Sequence, residues 1–583
     1  GEKRGCGQIC PVGIIRTGKG GKRLILAETE ELHQRISTLE LALAASQARH
    51  STQPHPLLED AYLFSPRDPA RPRASASGHA EAGDEEDVVD SAFGTLTIGR
   101  SGESRFVGSF AGSEYLRTDH LPDDSNSGLA TPPPTAALNS SFDLRLHTAR
   151  TGPIAPGLRI GGYADGRDVD IVQLRQELPD WEKKGRELVQ NCWENVSWMH
   201  PIVPQNVFDT QYLQLAYDTQ RAIHPHQLAV VYLVMALGVM FDLHRPAFDN
   251  RAAELFALGQ SCLSAIGFEH ATPSTVRALL LCGTYLLNDK HGSGAEIYWP
   301  VLGTAIKVAY SLGLHRDGSV FGLSVEETEE RRLIWWELIT SDRLLATAFA
   351  RPAGIASRTT DTKMPSVSGA EGDDYQRTRF RIAELMEKIN NVQTQLAAVP
   401  HTLIKALDAE LVEFKKSIPD SLLPSTPIPS LPMDSTISPQ LVYHRLTIRL
   451  LLAQCRLLLN RPFFARALSE NHEDPSFCKH GEPFCALFGA ALEIVQVVQQ
   501  MVVYHPSLVA RWWVYWFHAF SSACCFAAIA IRAPKSAFAA PAFDGLTTVL
   551  DLATAAPPGC RAKKGLAVLL RLRARAQDSM RKA

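Results

Sequence analysis

Cys6 and Cys10 sit four residues apart inside a cationic run, Lys3-Arg4-Gly5-Cys6-Gly7-Gln8-Ile9-Cys10-Pro11. Thiolates hold zinc as a set of ligands around a tetrahedral ion, so two cysteines complete no site by themselves. Alone the pair reads as free thiols; with further ligands encoded upstream it reads as a remnant of a zinc site. The chain opens Gly1-Glu2 rather than on Met, which leads us to expect that it continues a longer protein. Lys3, Arg4, Arg16, Lys19, Lys22 and Arg23 stand against Glu2 alone, so residues 1–23 carry a net charge of +5. In a chain whose total is −3, this is the local patch that contact with nucleic-acid phosphates requires.

Other candidates for chemistry fall short on their own chemical terms. Gly13-x4-Gly18-Lys19 opens like a phosphate-binding loop, but residue 20 is Gly where the magnesium-binding hydroxyl belongs. His315-Arg316-Asp317 imitates a kinase catalytic loop, yet Gly322 occupies the metal-binding Asn position. Cys478, His480 and Cys485 are one ligand short of a tetrahedral zinc site. With no Gly-x-Ser-x-Gly elbow and no His-Glu-x-x-His, the chain is not expected to be an enzyme. The odd number of cysteines, eleven, mostly within apolar helical stretches, predicts reduced thiols in an intracellular compartment. No apolar run follows Gly1, so no secretory leader is expected.

The elements that would position these residues are mainly helical. At 45% hydrophobic and 21% charged, the 583 residues have the composition of a soluble globular protein. After the basic segment, Ile25, Leu32, Ile36, Leu39 and Leu43 fall on alternating heptad positions, a short coiled coil or simple amphipathic helix over 24–46. Residues 47–90 turn to Pro, Ser, Ala, His and acid and read as a disordered linker. A β-hairpin is expected in the 91–118 island, around Ser101-Gly102, followed by a flexible linker over 119–167. From 168 on, helical patterns cover 186–198, 226–243, 250–265, 275–288, 296–312, 325–350, 378–416, 439–468, 484–504 and 510–531. Ser324 with Glu327 marks a helix start, and Gly313 the left-handed residue after a helix end. The prolines between 419 and 439 predict a division into two lobes, 168–420 and 421–560. Trp512 to Ile531 is long enough to span a bilayer, but His518, Ser521 and Ser522 favour a core helix and no membrane contact. Residues 561–583 hold eight cations against Asp578, a net +7. They form either a nuclear-import or nucleic-acid segment or a solvated final helix with Leu566, Leu569, Leu570 and Leu572 on its apolar side.

This order of parts resembles the fungal zinc binuclear cluster (Zn2Cys6) transcription factors. The closest likeness runs through Ala309-Tyr310-Ser311-Leu312-Gly313-Leu314-His315-Arg316-Asp317, then Glu329-Glu330-Arg331-Arg332-Leu333-Ile334-Trp335-Trp336-Glu337-Leu338. It continues with Asp342, Arg351-Pro352 and Asp361-x2-Met364-Pro365, and is similar to the signature of that family's middle homology region; Asn460-Arg461-Pro462-Phe463-Phe464 adds to it. The resemblance implies a mainly α fold: a large helical regulatory domain in two lobes, with a short N-terminal coiled coil, disordered linkers and one small hairpin. It implies that His315, Arg316, Asp317, Arg331, Arg332, Trp336, Asp342, Arg351, Pro352, Asp361, Arg461 and Pro462 are scaffold; read physically, Arg331, Arg332, Asp342, Arg351 and Asp361 would form charge-assisted pairs that clamp helix ends. It also implies a nuclear, homodimeric protein that reads GC-rich half-sites and meets transcriptional co-regulators or a small-molecule effector. Cys10 would be the last zinc ligand and Cys6 a ligand or an extra thiol, the others lying outside this chain. Lys3, Arg4, Arg16, Lys19, Lys22 and Arg23 would then contact DNA. Two other readings stand beside it: a helical interaction scaffold or co-regulator without DNA binding of its own, and an all-α enzyme, for which no Asp-rich metal motif is found.

Overall fold

Apolar residues recur at three- and four-residue spacing beyond residue 220, and the chain winds them into twelve helices of fifteen or more residues. In chain order these are α1 (Pro225–Met240), α2 (Asn250–Ser264), α3 (Pro273–Asn288), α4 (Gly294–Ser311), α5 (Val325–Phe349) and α6 (Asp373–Thr394). They continue as α7 (His401–Lys416), α8 (Pro439–Glu470), α9 (Gly481–Tyr504), α10 (Trp513–Arg532), α11 (Ala539–Ala555) and α12 (Ala562–Lys582). The computed structural model describes residues 170–289, 294–366, 372–395, 399–423, 438–558 and 560–583. Before residue 170 it describes only Leu43 and short strands at 22–25, 88–89, 95–98 and 104–107. In the 91–118 island, Thr95–Ile98 runs antiparallel to Ser104–Val107.

Successive helices pack as hairpins, α1 on α2, α3 on α4, α8 on α9 and α10 on α11, while α1 also meets α3 and α6 meets both α5 and α8. Helix α1 is buried on every face from Leu228 to Met240. The short helix Arg186–Cys192 crosses it so closely that a Cβ on Gly238 would lie 1.8 Å from the Leu188 carbonyl oxygen. At the end of α4, Gly313 takes φ +70°, with Leu314 N–H donating to Ala309 O at 3.0 Å and Gly313 N–H to Tyr310 O at 3.1 Å, a Schellman stop. Ser324 Oγ accepts the Glu327 N–H at 3.1 Å and starts α5. The end of α5 repeats the left-handed turn with Ala350 at φ +48°.

Three sequence expectations need correction. The helix expected over 378–416 is broken: α6 ends at Thr394 and α7 begins at His401, because Pro400 lacks an N–H and holds the residue before it extended. Helix α11 was not among the expected stretches, although Ala542, Leu546, Val549 and Ala553 recur at four-, three- and four-residue steps and are buried. The core does not divide at the proline-rich interval. One apolar cluster joins Leu188 through Trp336 to α8, α9, α10 and Ala576, and a smaller one joins α6 and α7 to the opposite face of α8. Helix α8 feeds Leu446, Leu450, Leu457 and Phe464 to the first, and Ile448, Leu452, Cys455 and Phe463 to the second.

Two described helices, α9 and α10, are long and apolar enough to cross a bilayer, and 83% of the apolar window of α10 lies buried within the protein. Helix α12 packs on α10 and α11 with Leu569 and Leu572 inside, while Leu570 faces solvent at 50% exposure. A four-residue step separates Leu572 from Ala576, also buried, and Leu570 falls off that stripe.

Candidate functional site

The motif residues of 315–363 converge on one latch. Asp317, at the end of the turn that closes α4, accepts from Arg332 Nε at 2.8 Å and Nη2 at 2.7 Å, and from the Lys363 N–H at 3.0 Å. Arg332 lies one turn or more into α5, so the pair ties the α4–α5 connection to the extended segment at 360–363. The Arg332 guanidinium, with the hydroxyl and N–H of Ser319, holds the Asp317 carboxyl well below the usual carboxylate range. Asp361 accepts the Asp317 N–H at 2.9 Å and Arg316 Nε at 2.8 Å, and these two bonds depress its pKa as well. Trp335 donates Nε1–H to Thr360 Oγ1 at 2.8 Å and Trp336 donates to Lys363 O at 3.0 Å. Arg331 donates to Leu312 O at 3.3 Å.

Asp342, Arg351 and Pro352 act at the other end of α5, and the last two motif residues lie in α8. Asp342 accepts two backbone N–H groups, from Gly354 at 3.0 Å and Ile355 at 2.9 Å, and burial pushes its pKa up to about 6. Arg351 reaches both oxygens of Glu296 at 3.0 Å, and Pro352 follows it directly. Arg461 and Pro462 lie inside α8, Arg461 buried. Every one of these contacts orients backbone or helix ends; none leaves a nucleophile beside a base.

A second group was not singled out in the sequence. On α6, Tyr375, Arg379, Ile382 and Met386 repeat at four-, three- and four-residue steps and form one stripe facing α3, α5 and α8. With Met199, His200, Thr284, Leu287, Asn288, Thr340, Leu344, Thr447, Leu450, Leu451 and Trp512 to Val514, they enclose a cavity of about 50 Å³. Arg379 is 2% exposed and Glu337 1%, and the two form a buried ion pair. Arg379 Nη1 also lies 2.7 Å from His200 Nδ1, so His200 accepts there and stays neutral, its pKa pushed down to about 3 by burial and by the Arg379 charge. Asn288 is locked by the Trp513 N–H at 3.0 Å and its own bond to Thr284 O at 2.8 Å. Tyr375 stacks on His444 with ring centroids 3.9 Å apart. The Nε1–H of Trp512, the Nε–H of Arg379 and Oε2 of Glu337 are buried without a hydrogen-bond partner among the described residues. The only sequence signal for this group is an Arg on an otherwise apolar helical stripe, which a solvated arginine produces equally well.

Cys6, Cys10, Lys3, Arg4, Arg16 and Lys19 lie outside the described residues, as do Leu32, Ile36 and Leu39. Lys22, Arg23 and Ile25 belong to the short strand Lys22–Ile25. Cys478 Sγ donates to Pro475 O at 3.1 Å, His480 lies 3.0 Å from Glu470, and Cys485 is exposed. No cluster of three or more metal-ligand side chains occurs among the described residues.

Comparison with known proteins places these features. Residues 190–441 match the fungal specific transcription factor domain. The chain is 24% identical to an uncharacterized transcriptional regulatory protein of Schizosaccharomyces pombe over 94% of its own length and 70% of that protein. A second uncharacterized transcriptional regulatory protein of the same yeast is 24% identical over 58% of the chain and 42% of its own length. The equisetin cluster transcription factor of Fusarium heterosporum is 23% identical over 56% of the chain and 51% of its own length. The latch and most of the cavity walls fall inside the matched region, while Thr447, Leu450, Leu451 and Trp512 to Val514 lie beyond it. Residues 190–441 are thus similar to the fungal specific transcription factor domain, and together with the relatives this likeness indicates a fungal transcriptional regulator.

Proposed function

We propose that the complete protein is a nuclear, zinc-dependent, sequence-specific DNA-binding transcription factor of RNA polymerase II genes, with the helical body as its regulatory and effector-sensing domain. The observation that carries this reading is the match of residues 190–441 to the fungal specific transcription factor domain, on a chain with a +5 segment around Cys6 and Cys10. Two thiolates do not complete a zinc site, so Cys6 and Cys10 serve only with ligands from outside this sequence. Lys3, Arg4, Arg16, Lys19, Lys22 and Arg23 then neutralise phosphates, and Leu32, Ile36, Leu39 and Leu43 pair two copies and set half-site separation, while Ile25, the first residue of the expected heptad series, lies in the strand Lys22–Ile25.

Zinc content and selection from a random DNA pool test it, on this chain and on one extended upstream in its gene. The extended protein should bind about two zinc ions and select a short GC-rich site. Absence of both would remove the reading. A helical interaction scaffold would then replace it, a reading favoured by the exposed Val320, Phe321 and Val325 at 62 to 73% exposure beside Glu326 and Glu327.

A further inference from the structure

Two faces of α12 do different work. Leu569, Leu572 and Ala576 are buried where the helix packs on α10 and α11. Lys564, Arg571, Arg575, Asp578 and Lys582 follow one another at seven-, four-, three- and four-residue steps, and all five are exposed. At 3.6 residues per turn they fall within about 60° of one another and about 120° from the buried stripe. From Lys564 to Lys582 the outward stripe is about 27 Å long, at 1.5 Å per residue.

Four cations on this stripe stand against one carboxylate, and that carboxylate is already 3.1 Å from Lys582. Among the described residues, Arg571 and Arg575 pair with no carboxylate; Arg571 Nε reaches the Ala567 carbonyl oxygen at 3.4 Å, one turn back. The rest of the protein does not share this charge. Residues 561–583 carry +7 and residues 1–23 carry +5 in a chain of −3, which leaves −15 on residues 24–560. A polyanion is therefore drawn to the chain where the cations cluster and repelled elsewhere.

The chemistry of the stripe selects among anionic partners. Protein interfaces centre on aromatic and apolar anchors, and here Ala567 and Ala574 flank the cations while Leu570 stands about 110° away. A membrane surface takes up a helix by its apolar face, which α12 commits to α10 and α11. Duplex DNA asks for neither: its contacts are polar and strongly cationic, and the planar fork of an arginine matches a phosphate.

We propose that the outward stripe of α12 is a contact for the phosphate backbone of duplex DNA, sequence-independent and separate from the N-terminal segment. Arg571, Arg575 and Lys582 each neutralise a phosphate, and the acidic remainder of the body is held away from the duplex. This goes beyond the zinc-dependent reading and does not require it.

Fluorescence anisotropy of the full chain on a duplex of about 20 base pairs and arbitrary sequence, at about 50 to 200 mM salt, tests it. The N-terminal cations are removed first, with Lys3, Arg4, Arg16, Lys19, Lys22 and Arg23 all replaced by Gln. That variant should still bind, more weakly as salt rises. Adding Arg571→Gln, Arg575→Gln and Lys582→Gln should reduce the slope of log affinity against log salt by about two to three, near 0.9 per phosphate contact. Asp578→Lys, which adds a cation to the same stripe, should tighten binding. All four positions are exposed, so the urea midpoint should not move. No duplex binding by the N-terminal variant, a slope unchanged by the three α12 substitutions, or poly-glutamate bound as tightly as the duplex would overturn the inference. Site selection by the zinc-loaded extended protein together with any of those outcomes sinks this inference alone; duplex binding through α12 without zinc or site selection sinks the zinc-dependent reading alone.

Discussion

Arg332 and Asp317 meet edge to edge, Nε to Oδ2 at 2.8 Å and Nη2 to Oδ1 at 2.7 Å, across fifteen residues of sequence. Their side chains are 11% and 3% exposed, so the pair is held in a poorly screened setting. Arg332 also bonds Glu329 at 2.6 Å, which places one guanidinium between two carboxylates.

Asp317→Asn keeps the shape and removes the charge. It should lower unfolding stability by about 3 kcal/mol, the scale for breaking one side of a buried ion pair. Urea denaturation checks this, and a loss below about 1 kcal/mol would class the pair with solvent-screened surface bridges.

Two glycines should respond in opposite directions to the same substitution. A Cβ meets nothing within 4 Å at either Gly313 or Gly303, so sterics with neighbours are absent from both. At Gly313, φ +70° makes Gly313→Ala destabilising by about 1–2 kcal/mol. Gly303 is exposed inside α4, and Gly303→Ala should stabilise by about 0.5–1 kcal/mol. Melting temperatures of the two variants decide it.

Glu337→Gln leaves Arg379 buried with its charge unmatched and should cost about 3–5 kcal/mol. Replacing both partners, Glu337→Leu with Arg379→Met, should cost clearly less, since no charge is then left in the core. A double-mutant cycle by thermal unfolding measures the difference, and equal losses would show that the pair contributes through packing alone.

Acid should destabilise the fold before the surface carboxylates titrate. Burial holds His200 and His518 down to about 3 and His226 to about 4, from an ordinary value of 6.5. Each takes up a proton on unfolding, so its contribution is complete above pH 6.5 and is lost as pH falls toward 4. Asp342, raised to about 6, binds its proton in the native state first and works in the opposite sense. Three imidazoles against one carboxyl leave about two extra protons on the unfolded chain near pH 5, a slope of about 3 kcal/mol per pH unit. Urea midpoints between pH 7 and 4 test this, and a flat profile would contradict the burial of these rings.

Helix positions and stops were legible where they depend on local chemistry. Gly313 and Ser324 do what their residue types predict, and the 3.6-residue period located ten helical stretches, one of which, 378–416, holds two helices. The break at Pro400 was legible in principle and was overridden by the apolar pattern on either side of it. The cavity was not legible, because its walls come from six separated segments. Arg379 looks the same in a string of residues whether it meets water or Glu337. The latch lies between these cases: its residues are in the motif, but the pairing of Arg332 with Asp317 rather than Asp361 is a matter of three-dimensional distance.

Both apolar clusters draw on residues before 423 and after 438, so the covalent link between those positions separates no folding unit. The chain is therefore suited to being split there: two co-expressed pieces, one ending at 423 and one starting at 438, should reassemble by complementation, and neither should fold in the absence of the other.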